Sequence, residues 1–382
     1  MNSFNFEPLA LPAQTAGLRR EVREFLREEL ADMTPRERAH TWQGFDAGFS
    51  RKLGEKGWIG MTWPREYGGQ ERSALERYVL LEELLAAGAP VAAHWIADRQ
   101  SGTLLLRFGR EDVRRRYLPA MARGELFCCI GMSEPNSGSD LASIRTRATR
   151  VDGGWKINGS KLWTTNADKA HLMIALVRTS REEDSRHAGL SQFIIELSSP
   201  GVTVKPVVDH TGAAHFGEVF FSDVFVADEM LLGNEGDGWA QVNAELALER
   251  SGPERYLSSY RLLEELVAAA GPDPSPRLTE LIGELTAELW TLRQMSLSVA
   301  GQLAGGGTPA LEAAIVKDLG ARFEQELPPL VQAALDDEAL GSSGTALQDV
   351  LDYLLRASPA FSLRGGTREV LRGIIAKGLA LR

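Results

Sequence analysis

Met132-Ser133-Glu134-Pro135-Asn136-Ser137-Gly138-Ser139-Asp140 is a polar segment that follows directly on the apolar run Leu126-Phe127-Cys128-Cys129-Ile130. Gly and small hydroxyl residues let a backbone come close to a ligand. A strand ending in such a loop can therefore aim several N–H groups at something polar and flat. The same composition also suits an ordinary surface turn after an edge strand. Other reactive chemistry is scarce. Cys128 and Cys129 are adjacent, so on a strand they point to opposite faces, and a disulfide between them is strained. They read as two small apolar strand residues. His40, His94, His171, His187, His210 and His215 show no HExxH or similar ligand spacing, so a metal enzyme is not indicated.

The loop needs elements to hold it. From about Ala13 to Arg123 the apolar residues recur with helical period: Leu18, Val22, Phe25, Leu26 and Leu30 share one face, and Tyr78, Leu81, Leu84 and Leu85 another. Between them, Gly57 to Gly69 is too rich in Gly and Pro for a helix and reads as a packed connecting loop. From Glu125 the texture is β. Ile144–Val151 alternates, Gly153-Gly154 marks a hairpin, and Trp155–Trp163, His171–Val177, Gln192–Leu197 and Gly217–Val226 supply further runs. Asn158-Gly159-Ser160 reads as a turn. Helical period returns with Trp239–Ala270, Leu278–Leu303, Leu311–Ala334 and Val370–Leu381. These blocks predict an α+β chain: an N-terminal α-helical domain at 1–124, a middle β-barrel domain at 125–232 and a C-terminal helical-bundle domain at 233–382.

Composition narrows the function. The chain has 382 residues, 43% of them hydrophobic, enough for two or three cores. The net charge of −10, with no strong basic block, argues against nucleic acid as partner. No apolar run approaches the roughly 20 residues needed to cross a bilayer, and no signal-peptide pattern opens the chain, so membrane association is not expected and a cytoplasmic protein is. The Gly-rich breaks lack the strand-before, helix-after setting of a dinucleotide fingerprint.

Taken together, the motifs resemble the acyl-CoA dehydrogenases. Met132–Asp140 matches that family's Met-Ser/Thr-Glu-Pro-x-x-Gly-Ser-Asp, and Lys161-Leu162-Trp163-Thr164-Thr165-Asn166 its Lys-x-Trp-x-Thr-Asn. Further matches are Trp63-Pro64-x-x-Tyr67-Gly68-Gly69, Gly233-x-Glu235-Gly236-x-Gly238-Trp239 and Gly366-Thr367. The resemblance implies helical N-terminal, β-barrel and four-helix-bundle C-terminal domains, with FAD in the crevice between the last two. It places Ile130, Met132, Ser133 and Ser139 at the flavin edge, Trp163 against its face, and Thr164, Thr165 and Thr367 among the cofactor contacts. A flavin is required because no side chain can accept a hydride. The implied reaction is α,β-dehydrogenation of an acyl-CoA thioester, with electrons passed to an electron-transfer flavoprotein.

That chemistry needs a carboxylate to take the α-proton. Many members carry it in a Tyr-Glu-Gly-Thr motif near the C-terminus, where this chain has Gly365. A smaller set, including isovaleryl- and long-chain-type enzymes, place it on the first long bundle helix before an Arg. Glu249-Arg250 matches that position, which makes Glu249 the expected base and Arg250 its support; a surface Glu beside an Arg is the plainer reading. The Gly365 or Gly366 amide can still polarise the thioester carbonyl, an effect worth about 3 kcal/mol per donor.

Two family segments are missing. Arg-x-x-Phe-Gly and Gln-x-x-Gly-Gly-x-Gly-Tyr, which hold the ADP half of FAD across subunits, are replaced by the Gly271–Pro276 break and by Leu354–Pro359. Similar departures occur in heteromeric acyl-CoA dehydrogenases of bacterial steroid side-chain degradation. A homo-oligomer or a heteromer with a second dehydrogenase-like subunit is therefore expected. A flavin oxidase or monooxygenase of the same fold, and a non-catalytic partner subunit, are the alternatives. The acyl group is not written in these residues.

Overall fold

The computed structural model describes residues 4–180, 185–337 and 345–381, with the side chains of residues 244–249, 337 and 345 excepted. The chain forms two compact units. One comprises Met1–Gly44, Arg72–Pro90 and Ala247–Arg382, the other Phe45–Glu71 and Val91–Leu246.

The first unit is helical. Thr15–Glu29 buries Leu18, Val22 and Leu26 against Ala74–Ala86, whose start is closed by a Ser73–Glu76 capping box. Pro276–Ala304 packs on Ala74–Ala86 and on Ala310–Asp337, and Arg368–Gly378 packs on the latter. Ion pairs run through this packing: Glu82 takes Arg293 at 2.6 Å and Arg19 at 2.9 Å, and Glu83 takes Arg23 at 2.6 Å. Each of these two buried carboxylates is held by two arginines, Glu82 by Arg19 and Arg293 and Glu83 by Arg19 and Arg23. The single segment expected over Trp239–Ala270 is interrupted. Helix Gly238–Glu249 stops, Pro253–Arg255 forms a 3₁₀ turn, and Tyr260–Ala270 restarts. Pro253 has no N–H to continue the ladder to the Glu249 carbonyl. A helix at Thr345–Ala357, absent from the sequence expectation, fills the stretch before Pro359.

The second unit is built on one mixed eight-stranded sheet: β1 (Cys128–Gly131), β2 (Arg147–Val151), β3 (Gly154–Thr165), β4 (Leu172–Arg178), β5 (Leu190–Glu196), β6 (Val202–Val207), β7 (Phe216–Ala227) and β8 (Leu231–Leu232). The order is β6-β7-β3-β2-β4-β5-β8, with β1 parallel to β4. β4 and β5 are buried along nearly their whole length, and Met173, Ile174, Phe193 and Ile195 pack with Trp63, Leu104, Leu118 and Met121 of the flanking loop and helices. Asn158-Gly159-Ser160 is not a turn. It lies inside β3 at a register shift against β7, where Gly159 takes φ +141°. Burial pushes the Cys128 thiol up to about 12 and the Cys129 thiol well above its ordinary value, so both are inert strand residues. No helix among the described residues is long and apolar enough to cross a membrane.

Candidate functional site

Ile130 lies in β1, paired with Ile174 of β4, and the chain leaves the sheet after Gly131 into the Met132–Asp140 loop. The loop is not slack. Glu134 and Ser137 exchange both backbone hydrogen bonds, at 2.9 and 3.0 Å, and Leu162 N–H donates to the Ser133 carbonyl at 2.9 Å. Its far end is tied where Arg186 donates to Asp140 at 2.6 Å. The start of the loop therefore lies against the end of β3, and the two sequence motifs form one place.

Its foundation is a buried ion pair. Lys161 is fully buried and Glu134 nearly so, with Nζ 2.9 Å from Oε1. Burial pushes the Lys161 ammonium down to about 8. Burial works against the Glu134 carboxylate too, yet the Lys161 charge and donors at Arg145 and Thr146 hold it below its ordinary value.

One step along β3 the strand bulges. Lys161 pairs with Val219, but Thr164 pairs with Gly217, so three steps on β3 oppose two on β7. Trp163 sits in the slack with φ +61°, left-handed for a non-glycine residue. Its indole stands 56% exposed, held edge-on by Phe216 at 5.9 Å and 87°. A bulge of this kind re-aims a side chain at the cost of local strain. Next to it, the Thr164 hydroxyl is buried without a hydrogen-bond partner, which a native interior seldom tolerates. Thr165 and Ser133 are half-buried, and Ser139 is exposed. The exposed Trp163 ring and the Ser-rich loop thus lie on neighbouring segments, joined by the Leu162 N–H to Ser133 carbonyl bond. The bulge has no sequence signal, since no glycine marks it.

The other expected residues lie in the helical unit. Glu249 is the last helical residue of Gly238–Glu249, and its side chain lies outside the described residues. Arg250, 8% exposed, donates Nε–H to the Gly365 carbonyl at 3.3 Å. Gly365 and Gly366 both take positive φ, +63° and +100°, a backbone that suits glycine. Thr367 caps the helix Arg368–Gly378, its hydroxyl accepting from Val370 N–H at 3.4 Å. The turn is clamped on its other side by Arg364, which donates to the buried Glu324 at 3.0 Å and lies 4.0 Å over the Trp42 ring. Arg364, Glu324 and Trp42 carry no motif signal of their own.

Comparison with known proteins agrees with this organisation. The acyl-CoA dehydrogenase N-terminal, middle and C-terminal domains match residues 13–125, 129–224 and 236–380. Acyl-CoA dehydrogenase IpdE1 of Mycobacterium tuberculosis is 33% identical over 345 residues, covering 86% of each chain. Acyl-CoA dehydrogenase FadE34 of the same organism is 31% identical over 376 residues, 96% of this chain, which spans about half of that protein, 49%. Among solved structures, the ChsE4-ChsE5 complex from Mycobacterium tuberculosis matches with a TM-score of 0.83 and 27% identity over 98% of this chain and 99% of the other. The chain therefore belongs to the acyl-CoA dehydrogenases, a family of FAD-dependent oxidoreductases.

Proposed function

We propose that this protein removes the α- and β-hydrogens of an acyl-CoA thioester, with Glu249 as base and an electron-transfer flavoprotein as electron acceptor. The observation that carries the reading is the bulged Trp163, a strained and exposed aromatic beside an unpaired buried hydroxyl, in the segment that the resemblance assigns to the flavin ring. Ile130, Met132, Ser133, Ser139, Trp163, Thr164 and Thr165 would hold the ring, and Thr367 is a further proposed cofactor contact. Bound FAD supplies the hydride acceptor that the protein lacks.

The chain's own residues do the acid–base work. The Glu249 carboxylate takes the α-proton, and the Gly365 or Gly366 N–H donates to the thioester oxygen as negative charge builds there. Arg250 steadies this arrangement: it follows Glu249 directly and its Nε–H holds the Gly365 carbonyl, so base and turn share one tether. A three-part division at 1–124, 125–232 and 233–382 is supported by three matched stretches that run close to it. A second, dehydrogenase-like subunit is proposed to complete the FAD site. The missing ADP-binding segments and the likeness to a two-protein complex support that assembly.

The test is Glu249→Gln. FAD content should be unchanged and acyl-CoA-dependent flavin reduction abolished; a variant whose flavin is still reduced by acyl-CoA at the wild-type rate removes Glu249 from the mechanism.

A further inference from the structure

Lys161 takes no part in the chemistry above, yet the fold buries it completely. Its Nζ has two partners, Glu134 Oε1 at 2.9 Å and the Met132 carbonyl at 3.0 Å. In a trans peptide the carbonyl of one residue and the N–H of the next point in opposite directions. Drawing the Met132 carbonyl inward onto the ammonium therefore turns the Ser133 N–H the other way. The following carbonyl, of Ser133, is held by Leu162 N–H at 2.9 Å, so the peptides on both sides of Ser133 are fixed. The Ser133 N–H itself makes no hydrogen bond to another described residue. Glu134 is pinned in turn by Arg145 N–H at 2.7 Å and Thr146 N–H at 2.9 Å.

We propose that Lys161 is a positioning residue for the flavin, orienting the Met132–Ser133 peptide so that the Ser133 N–H stands as a fixed donor toward the ring, with Glu134 holding the ammonium in place. A buried ion pair is a poor device for stability alone, because desolvation offsets much of its attraction. It is a good device for fixing one peptide, because a charged donor holds a carbonyl more firmly than a neutral one. A fixed donor costs nothing to orient when the ligand arrives. The proposal rests on the reading that this loop holds the flavin ring.

The experiment separates positioning from simple stabilisation. Lys161→Met leaves a buried carboxylate without its counter-charge; adding Glu134→Gln removes that charge and keeps one of the two acceptor oxygens that the Arg145 and Thr146 N–H groups use. With the protein in its assembled form, the Tm of the double variant should rise part of the way back from that of Lys161→Met, since the buried charge is gone but one backbone N–H has lost its acceptor. FAD affinity, read by fluorescence titration, should stay at least about tenfold weaker in both variants, equivalent to about 1.4 kcal/mol. Recovery of affinity together with Tm would overturn the proposal. A second readout needs no variant: hydrogen exchange at the Ser133 amide should be fast without FAD and slow with it, while the Leu162 amide is protected in both. Equal protection of Ser133 in the two states would also overturn it. The underlying reading fails separately: FAD uptake without reduction by any acyl-CoA contradicts the dehydrogenase reading and leaves the positioning role intact.

Discussion

At the scale of single residues, the candidate site is read through residues that break local rules. Trp163 is a bulky residue in left-handed backbone, and such a position costs about 1–2 kcal/mol that a glycine would not pay. Trp163→Gly should therefore leave Tm unchanged or slightly raised while weakening FAD binding at least about tenfold, since a stacked aromatic contributes about 1 kcal/mol or more; parallel thermal melts and FAD titrations check the split. Arg250→Lys should lower kcat more than FAD content, because a lysine ammonium cannot reproduce the fixed direction of the Nε–H to Gly365. Single-turnover flavin reduction measures that step. Lys161 gives a pH signature with opposite signs in two observables. Its folded ammonium titrates near 8, whereas an unfolded lysine holds its proton to about 10.4. Between those values the folded state binds fewer protons, so this group's contribution to stability rises with pH. FAD affinity should fall through the same window, because the neutral amine no longer pairs with Glu134 and holds the Met132 carbonyl more weakly. Paired Tm and FAD-affinity profiles check this, and Lys161→Met should show no such alkaline limb.

At the scale of elements, legibility followed how completely a segment's packing is local. β2, β3, β4, β5 and β7 were legible from alternation or long apolar runs bounded by turn residues. β6 was not, because Val202–Val207 carries Lys205 and Pro206 on an edge, and β8 is only two residues long. The helix Thr345–Ala357 did carry its signal, with Leu347, Val350, Leu351 and Leu354 at helical spacing and Pro359 beyond its end. The loop Met132–Asp140 and the segment Lys161–Asn166 were legible as motifs. Their joining through the Glu134–Lys161 pair was not, since a lysine in an alternating strand reads as solvent-facing. The bulge depends on how β3 meets β7, a pairing between segments distant in sequence. Thr367 offers an element-scale test. Thr367→Ala removes the cap of Arg368–Gly378 and should cost about 1 kcal/mol, visible as a lower Tm.

At the scale of the whole molecule, the proposed function rests on the Met132–Asp140 loop, the bulged tryptophan and Glu249, and on the expectation that the segments replaced by Gly271–Pro276 and Leu354–Pro359 leave the ADP half of FAD to a partner. Expressed alone, the chain should be poor in FAD. Coexpressed with a dehydrogenase-like partner, it should gain near-stoichiometric flavin and a larger mass by light scattering. A flavin-replete homotetramer would exclude an obligate partner. The most direct measurement is anaerobic titration of the purified, FAD-loaded assembly with a panel of acyl-CoA thioesters, straight-chain, branched and steroid. At least one should bleach the flavin in proportion to thioester added and yield the 2-enoyl product. A fully loaded assembly whose flavin no thioester reduces would contradict acyl-CoA dehydrogenation by this protein.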